Sequence, residues 1–317
     1  MNDNQTGTQD NRNTEHDLVN RIAWEALAEQ RRARRWGIFF KFFFATYLLF
    51  FLVLYLPVDW SGGPIVGAKH TALVEINGVI SADMEANADN VVTGLRAAFE
   101  DQNTAGVILR INSPGGSPVQ SGYIYDEIKR LRNLYPDIPV YAVITDICTS
   151  GGYYIAAAAD KIYANKASVV GSIGVVMSGF GFVDAMNKLG IERRLLYAGE
   201  NKGFLDPFSP LKPEEVAHID EVLEGVYQQF IDVVKAGRGD RLKEESNIFS
   251  GLIWTGEQSL ELGLVDALGS ASFVAREVIG AEEIVDYTMH DTFFDLFASN
   301  IGAAVAKSIS SGFELKY

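Results

Sequence analysis

The 317-residue sequence holds a single cysteine, Cys148. That scarcity excludes an internal disulfide framework and any zinc site built from several cysteines. Histidine is nearly as rare: only His16, His70, His218 and His290 occur, and none lies between residues 71 and 217. Positive charge is also short. The net charge is −14, and residues 42–317 carry 20 Lys and Arg against 35 Asp and Glu. A body this acidic lacks the clustered cations that a phosphate backbone requires, so nucleic acid is not an expected partner. What is present is an ordinary globular composition, 48% hydrophobic and 21% charged, on a chain long enough for one large domain or two small ones.

One feature departs from that average. Residues 42–58, F-F-F-A-T-Y-L-L-F-F-L-V-L-Y-L-P-V, carry no charge. Extended back to Ile38 the run contains only Lys41, close enough to an end for its amine to snorkel. As a helix it spans about 31 Å, the thickness of a bilayer core. R-R-A-R-R-W (31–36) stands before it, and Pro57, Asp59 and Trp60 follow. The positive-inside rule puts the N-terminus in the cytoplasm and everything past residue 60 outside. The run is too long, and lacks the cleavage pattern, for a removed signal peptide. The expected order is a polar, disordered tail at 1–36, a transmembrane helix at 37–58, a linker at 59–70, a catalytic domain at 71–290 and an amphipathic segment at 291–317.

The body alternates strands with helices. T-A-L-V-E-I-N-G-V-I (71–80), G-V-I-L-R-I-N (106–112), P-V-Y-A-V-I-T (139–145) and K-I-Y-A-N (161–165) read as strands, and glycine-interrupted S-V-V-G-S-I-G-V-V follows at 168–176. Helical spacing joins Val91, Val92, Leu95 and Phe99. It also joins Val119, Tyr123, Ile124, Ile128 and Leu131. From Pro213, the spacing of Val216, Ile219, Val222, Val226, Phe230 and Val233 predicts a long helix with one buried face. This is an α/β pattern with a parallel sheet, and in such sheets the chemistry sits in loops at strand C-termini. Two glycine turns occupy that place, S-P-G-G (113–116) and C-T-S-G-G (148–152).

Ser150 in the second turn stands where a helix begins. A serine hydroxyl attacks only when a base takes its proton and donors hold the oxyanion. The Gly151 amide and the Gly115–Gly116 turn can supply donors, because glycine lets a substrate approach the backbone. A histidine base would have to come from outside the stretch that holds every catalytic-looking loop, which disfavours a Ser-His-Asp triad. The remaining common base is lysine, which burial can hold neutral. The downstream choices are Lys161, Lys166, Lys188, Lys202 and Lys212. Lys161 and Lys188 sit in a strand-like and a helical stretch, whereas Lys202 lies in an irregular loop with Gly199, Gly203, Phe204 and Leu205.

I-N-S-P-G-G, T-S-G-G-Y-Y-I-A-A-A-A-D-K-I-Y-A, V-G-S-I-G-V and I-W-T-G-E-Q-S-L-E-L-G-L-V-D-A-L-G, in that order, closely resemble signal peptide peptidase A in its short, single-domain form. The resemblance covers about residues 73–268. It implies a ClpP/crotonase-like superhelix and a membrane-bound serine endopeptidase that uses no cofactor or metal. By motif, Ser150 matches the nucleophile, Lys202 the general base and Ser172 the serine that orients the lysine. The amides of Gly116 and Gly151 match the oxyanion hole. The resemblance further implies a homo-oligomeric ring with shared active sites in a bacterial inner membrane, facing the periplasm. The implied substrates are signal peptides and other apolar peptides.

Three other functions compete: a related Ser-Lys protease acting on intact membrane proteins, a non-catalytic crotonase-like scaffold, and a crotonase acting on acyl-CoA. The polar tail falls outside the family pattern. Cys148 reads either as a redox handle or as a small buried residue.

Overall fold

The computed structural model describes residues 6–55, 68–243 and 247–290. The chain divides into two compact units, residues 1–66 and 67–317.

In the first unit, α1 (Thr6–Tyr55) is one helix of 50 residues. Within it Glu29–Leu52, 24 residues, is long and apolar enough to cross a membrane. Its rings meet one turn apart, with Phe39–Phe43 and Phe43–Tyr47 centroids 6.3 Å apart and Tyr47–Phe51 4.7 Å apart. Such i,i+4 contacts support the helix itself. The polar tail expected to be disordered is helical from Thr6. Extending an existing helix costs far less than nucleating one, so the apolar segment carries the polar one with it. Residues 56–58 of the expected span, and the whole of 291–317, lie outside the described residues.

The second unit is α/β, with a mostly parallel sheet. Its strands are β1 (His70–Asn77), β2 (Thr104–Ser113), β3 (Val140–Thr149), β4 (Lys161–Ala164), β5 (Val169–Gly171), β6 (Ile253–Thr255), β7 (Ala267–Leu268) and β8 (Ile284–Asp286). The order runs β6-β5-β3-β2-β1-β8, with β4 on β3 and β7 on β4. Among the described residues only the β5–β6 pair is antiparallel. The central strands are nearly continuous buried apolar runs, as parallel strands covered on both faces must be.

Helices α2 (Ala88–Glu100) and α3 (Pro118–Leu134) pack on the sheet through Val91, Leu95, Phe99, Ile124, Ile128 and Leu131. Val119 and Tyr123, expected on the same face, are exposed. Each helix opens on a side-chain cap, Asn87 for α2 and Ser117 for α3. α4 (Gly151–Ala156) follows Ser150, α5 (Val183–Leu189) lies on the surface, and α6 (Pro213–Arg238) is the long helix.

β3 forks. Its first half pairs with β4, Tyr141 to Ile144 against Lys161 to Ala164, and its end pairs with β5, Ile147 to Thr149 against Val169 to Gly171. The fork follows from a slip in register. Ile111 stands opposite Ile144, but Ser113 stands opposite Cys148. The extra β3 residues bend the strand end away from β4, and the strand therefore runs four residues past its expected end at 145.

Candidate active site

The bend delivers Thr149 and Ser150 to the C-terminal edge of the sheet. Thr149 Oγ1 donates to the Pro114 carbonyl at 3.0 Å, tying this turn to the S-P-G-G turn beside it. Ser150 then adopts φ 52°, ψ −124°, a conformation that costs a non-glycine residue about 1–3 kcal/mol. The surroundings enforce it: its amide donates to the Gly171 carbonyl at 2.9 Å, and its carbonyl accepts from Tyr154 at 3.0 Å. Ser172, next to Gly171, is also at positive φ, 53°, with its amide donating to Leu252 at 2.7 Å. Two left-handed serines are thus linked through a single peptide unit.

The glycines are fixed by close approach. A Cβ on Gly116 would stand 2.1 Å from the Ile80 carbonyl oxygen. The Ile80 amide donates to Gly115 at 3.0 Å, and its carbonyl accepts from Ser117 at 2.8 Å, so the turn is stapled beside β1. A Cβ on Gly151 would stand 2.4 Å from Ser121 Oγ and 3.3 Å from the Gly116 nitrogen. The two backbone segments therefore touch. Among the described residues, neither the Gly116 nor the Gly151 amide donates a hydrogen bond within the protein.

Ser150, Ser172, Gly116 and Gly151 line one cleft of about 430 Å³. Ser121, Tyr154, Val226 and Phe230 line it as well. Tyr154 packs on Phe230 at 5.3 Å and on Tyr125 at 5.4 Å, and burial raises the pKa of its phenol, so this wall is apolar and neutral. Sequence reading missed Ser121, whose hydroxyl is fully buried and donates to Ser117 at 3.0 Å. Its only signal is that it lies one helical turn after a Ser-Pro cap. Cys148 is fully buried, and burial pushes its thiol pKa up, so it sits in the core as a neutral side chain.

Lys202 is elsewhere. It is exposed and does not line the Ser150 cleft. The segment that carries it, 176–211, turns apolar side chains outward, with Val176 at 87%, Phe180 at 82% and Leu196 at 95% exposure. The expected buried face of α6 is divided in the same way. Phe230, Ile231 and Val234 are buried, whereas Val222 is exposed and Val216, Ile219 and Val226 are only half-buried.

Behind the cleft, α4 and α6 are locked together. A Cβ on Gly237 would meet the Ala157 carbonyl at 2.1 Å, and the Tyr153 hydroxyl donates to Leu264 at 2.8 Å. Buried Arg238 donates to Asp266 at 2.7 Å and to the Gly263 carbonyl at 2.8 Å. Burial pushes the Asp266 carboxyl up, but the Arg238 hydrogen bond and the Ile162 amide outweigh it and hold the group below its ordinary range.

Comparison with known proteins places this architecture. Residues 133–283 match the profile of peptidase family S49. A Brucella abortus protein named Na(+)/H(+) antiporter NhaA is 43% identical over 188 residues, covering 59% of this chain and 25% of that protein. A protein from Enterococcus faecium named for signal peptide peptidase SppA is 33% identical over 233 residues, 70% of this chain and 67% of that one. The Arabidopsis thaliana protein named Serine protease SPPA, chloroplastic, is 31% identical over 222 residues, 67% of this chain and 32% of that one. The chain thus spans a quarter of the length of the first relative and two thirds of the second. With its four motifs, its parallel sheet and its extended match to these relatives, the chain belongs to peptidase family S49.

Proposed function

We propose that the protein is a membrane-anchored serine endopeptidase that degrades signal peptides and other apolar peptides. Ser150 is its nucleophile and Lys202 its general base. The observation that carries this reading is the strained Ser150 at a helix start, beside two backbone amides without acceptors. Backbone strain clusters at sites where chemistry needs a fixed atom, and free amides suit an oxyanion.

In the first step Ser150 Oγ attacks the acyl carbon of the peptide while its proton passes to the Lys202 amine. The carbonyl oxygen becomes an oxyanion between the Gly116 and Gly151 amides. Collapse breaks the C–N bond, and the lysine ammonium returns the proton to the leaving amine. A water then repeats the sequence on the acyl-enzyme, restoring Ser150. Ser172, one peptide unit from the nucleophile's hydrogen-bond partner, orients the lysine amine. The apolar Tyr154–Phe230 wall supports a preference for apolar side chains.

Because Lys202 does not line the cleft of its own chain, it serves the Ser150 of a neighbouring copy. The outward-facing apolar side chains of 176–211 support such a ring, since exposed apolar patches of this extent mark association surfaces. The apolar part of α1 is the anchor, and the Arg31–Arg35 cluster keeps its N-terminal side cytoplasmic and the catalytic unit periplasmic.

The test is digestion of a synthetic signal peptide by the detergent-purified full chain beside Ser150→Ala and Lys202→Ala, each checked for folding. Wild type should cut, and both folded variants should lose at least about a thousandfold in rate. Equal cutting by all three would remove these assignments. Intact oligomers without any cutting would favour a scaffold.

A further inference from the structure

The loop that carries Lys202 is exposed, yet it is not loosely built. Four successive turns stiffen it: amide to carbonyl, Lys202 to Gly199 at 3.1 Å, Phe204 to Asn201 at 3.2 Å, Asp206 to Gly203 at 3.2 Å and Ser209 to Asp206 at 3.1 Å. The last two turns meet at Asp206, whose side chain is 10% exposed. Its carboxylate accepts from Ser209 Oγ at 2.7 Å and from Arg193 Nε and an Arg193 terminal nitrogen at 3.3 and 3.4 Å. Arg193 in turn lies over the Phe208 ring at 5.6 Å, and Phe208 stacks on Phe182 at 5.3 Å. The Phe182 amide closes the circuit by donating to Pro207 at 2.7 Å.

Such a clamp is excessive for a surface loop. The planar guanidinium fork is held on one side by a carboxylate and on the other by a ring, a geometry that fixes it in one orientation. The Ser209 hydroxyl, and next Arg193, keep the Asp206 carboxyl below its ordinary range. The clamp ties the main chain four residues after Lys202 to Arg193 and Ser209 without touching the lysine itself. A flexible side chain that must reach a distant serine benefits most when its own backbone is fixed in advance, because misplacement by about 1 Å can cost a hundredfold in rate.

We propose that Asp206, locked by Arg193 and Ser209, is a positioning residue that presets the Lys202 loop for catalysis. This rests on Lys202 being the base, and the experiment separates the two claims. Steady-state kinetics on a fluorogenic apolar peptide would compare full-length wild type with Asp206→Ala, Arg193→Ala, Arg193→Lys, Lys202→Ala and the double variant Asp206→Ala/Lys202→Ala. Arg276→Ala serves as control, since Arg276 pairs with its neighbour Glu277 on the surface, outside residues 176–211.

The expected result is a drop in kcat of roughly tenfold to a hundredfold for Asp206→Ala and Arg193→Ala, with KM within about twofold. Arg193→Lys should recover part of the loss, and Arg276→Ala should match wild type. The double variant should be no slower than Lys202→Ala alone, because a clamp that acts through the lysine has nothing left to position. Wild-type kcat in Asp206→Ala, or the same extra loss in the Lys202→Ala background, would overturn the proposal while leaving the base intact. Full activity in Lys202→Ala would remove the base, and the clamp's role with it. Should Asp206→Ala not fold, the two Arg193 variants carry the same test.

Discussion

Residues 104–172 and residues 176–211 belong to the same compact unit but are built on opposite plans. The first region is finished within one chain. Its strands are covered on both faces, its turns interlock at van der Waals distance, and its strained serine is over-determined by hydrogen bonds. The second has no buried helix face, holds its shape through local turns and one ion-pair clamp, and shows its largest apolar side chains to solvent. The proposed nucleophile lies in the first region and the proposed base in the second. The physical lesson is that a reactive group needs rigidity, which a core supplies. Its partner needs reach, which a stiffened surface loop supplies.

The strongest way to break this comparison is to divide it between chains. Ser150→Ala and Lys202→Ala chains, each inactive alone, would be co-expressed and purified as mixed oligomers. If neighbours complete each other's sites, about a quarter of sites in a random ring hold both groups, and activity returns to that order. If each chain supplies both groups, co-expression returns nothing.

Next in size is the packing of the finished region. Gly116→Ala puts a methyl 2.1 Å from the Ile80 oxygen, and relief requires the turn to leave β1. A loss of about 3 kcal/mol in urea unfolding is expected, together with peptidase activity. A loss below about 0.5 kcal/mol would mean that the turn is mobile and that the comparison fails on its rigid side.

A smaller effect concerns acid. Glu127 joins α2 to α3, accepting from Arg96 at 2.7 Å and from Arg130 at 2.8 Å. The Arg130 hydrogen bond, with help from Arg96 and against burial, holds its carboxyl at about 2 instead of 4.5. A depressed folded-state pKa stabilises above the unfolded value and is lost as pH falls through the folded one. Both arginines are half-exposed, so the contribution is nearer 2 kcal/mol than the full shift implies. Stability should fall between pH 4.5 and 2, and Glu127→Gln should remove that part of the slope.

Much of this was legible in the sequence, and the gaps have physical causes. Alternating apolar runs place β1 to β4, and the glycine turns mark the strand ends where Ser150, Gly116 and Gly151 meet. The β3 fork was not legible, because a register slip depends on which neighbour each half of the strand finds. The Arg193–Asp206 clamp was hidden too, since its partners stand thirteen positions apart and only the turns bring them together. The stripe from Val216 to Val233 was misread in a more instructive way. Helical spacing says that a face is apolar; it does not say what covers it. The chain's own core covers the C-terminal half, at Phe230 and Val234, and leaves Val222 exposed.

That distinction yields the prediction with the least effect on the fold. Leu196 is 95% exposed, so it contributes almost nothing to the stability of its own chain, and Leu196→Asp should change unfolding by no more than about 0.5 kcal/mol. Under the ring reading it lies in the surface that meets a second copy, where a buried, unpaired carboxylate costs several kcal/mol. Light scattering in detergent should then show smaller assemblies, and activity should fall with them while the monomer's melting is unchanged. A variant that assembles and cuts like wild type would make the outward-facing side chains of 176–211 a surface for another partner, such as substrate or lipid, and Lys202 would need a different route to Ser150. A variant that assembles normally but loses activity would place Leu196 beside the bound peptide, which relocates the groove and leaves the ring intact. Either result tells whether the unfinished region of this chain is unfinished because it waits for a copy of itself.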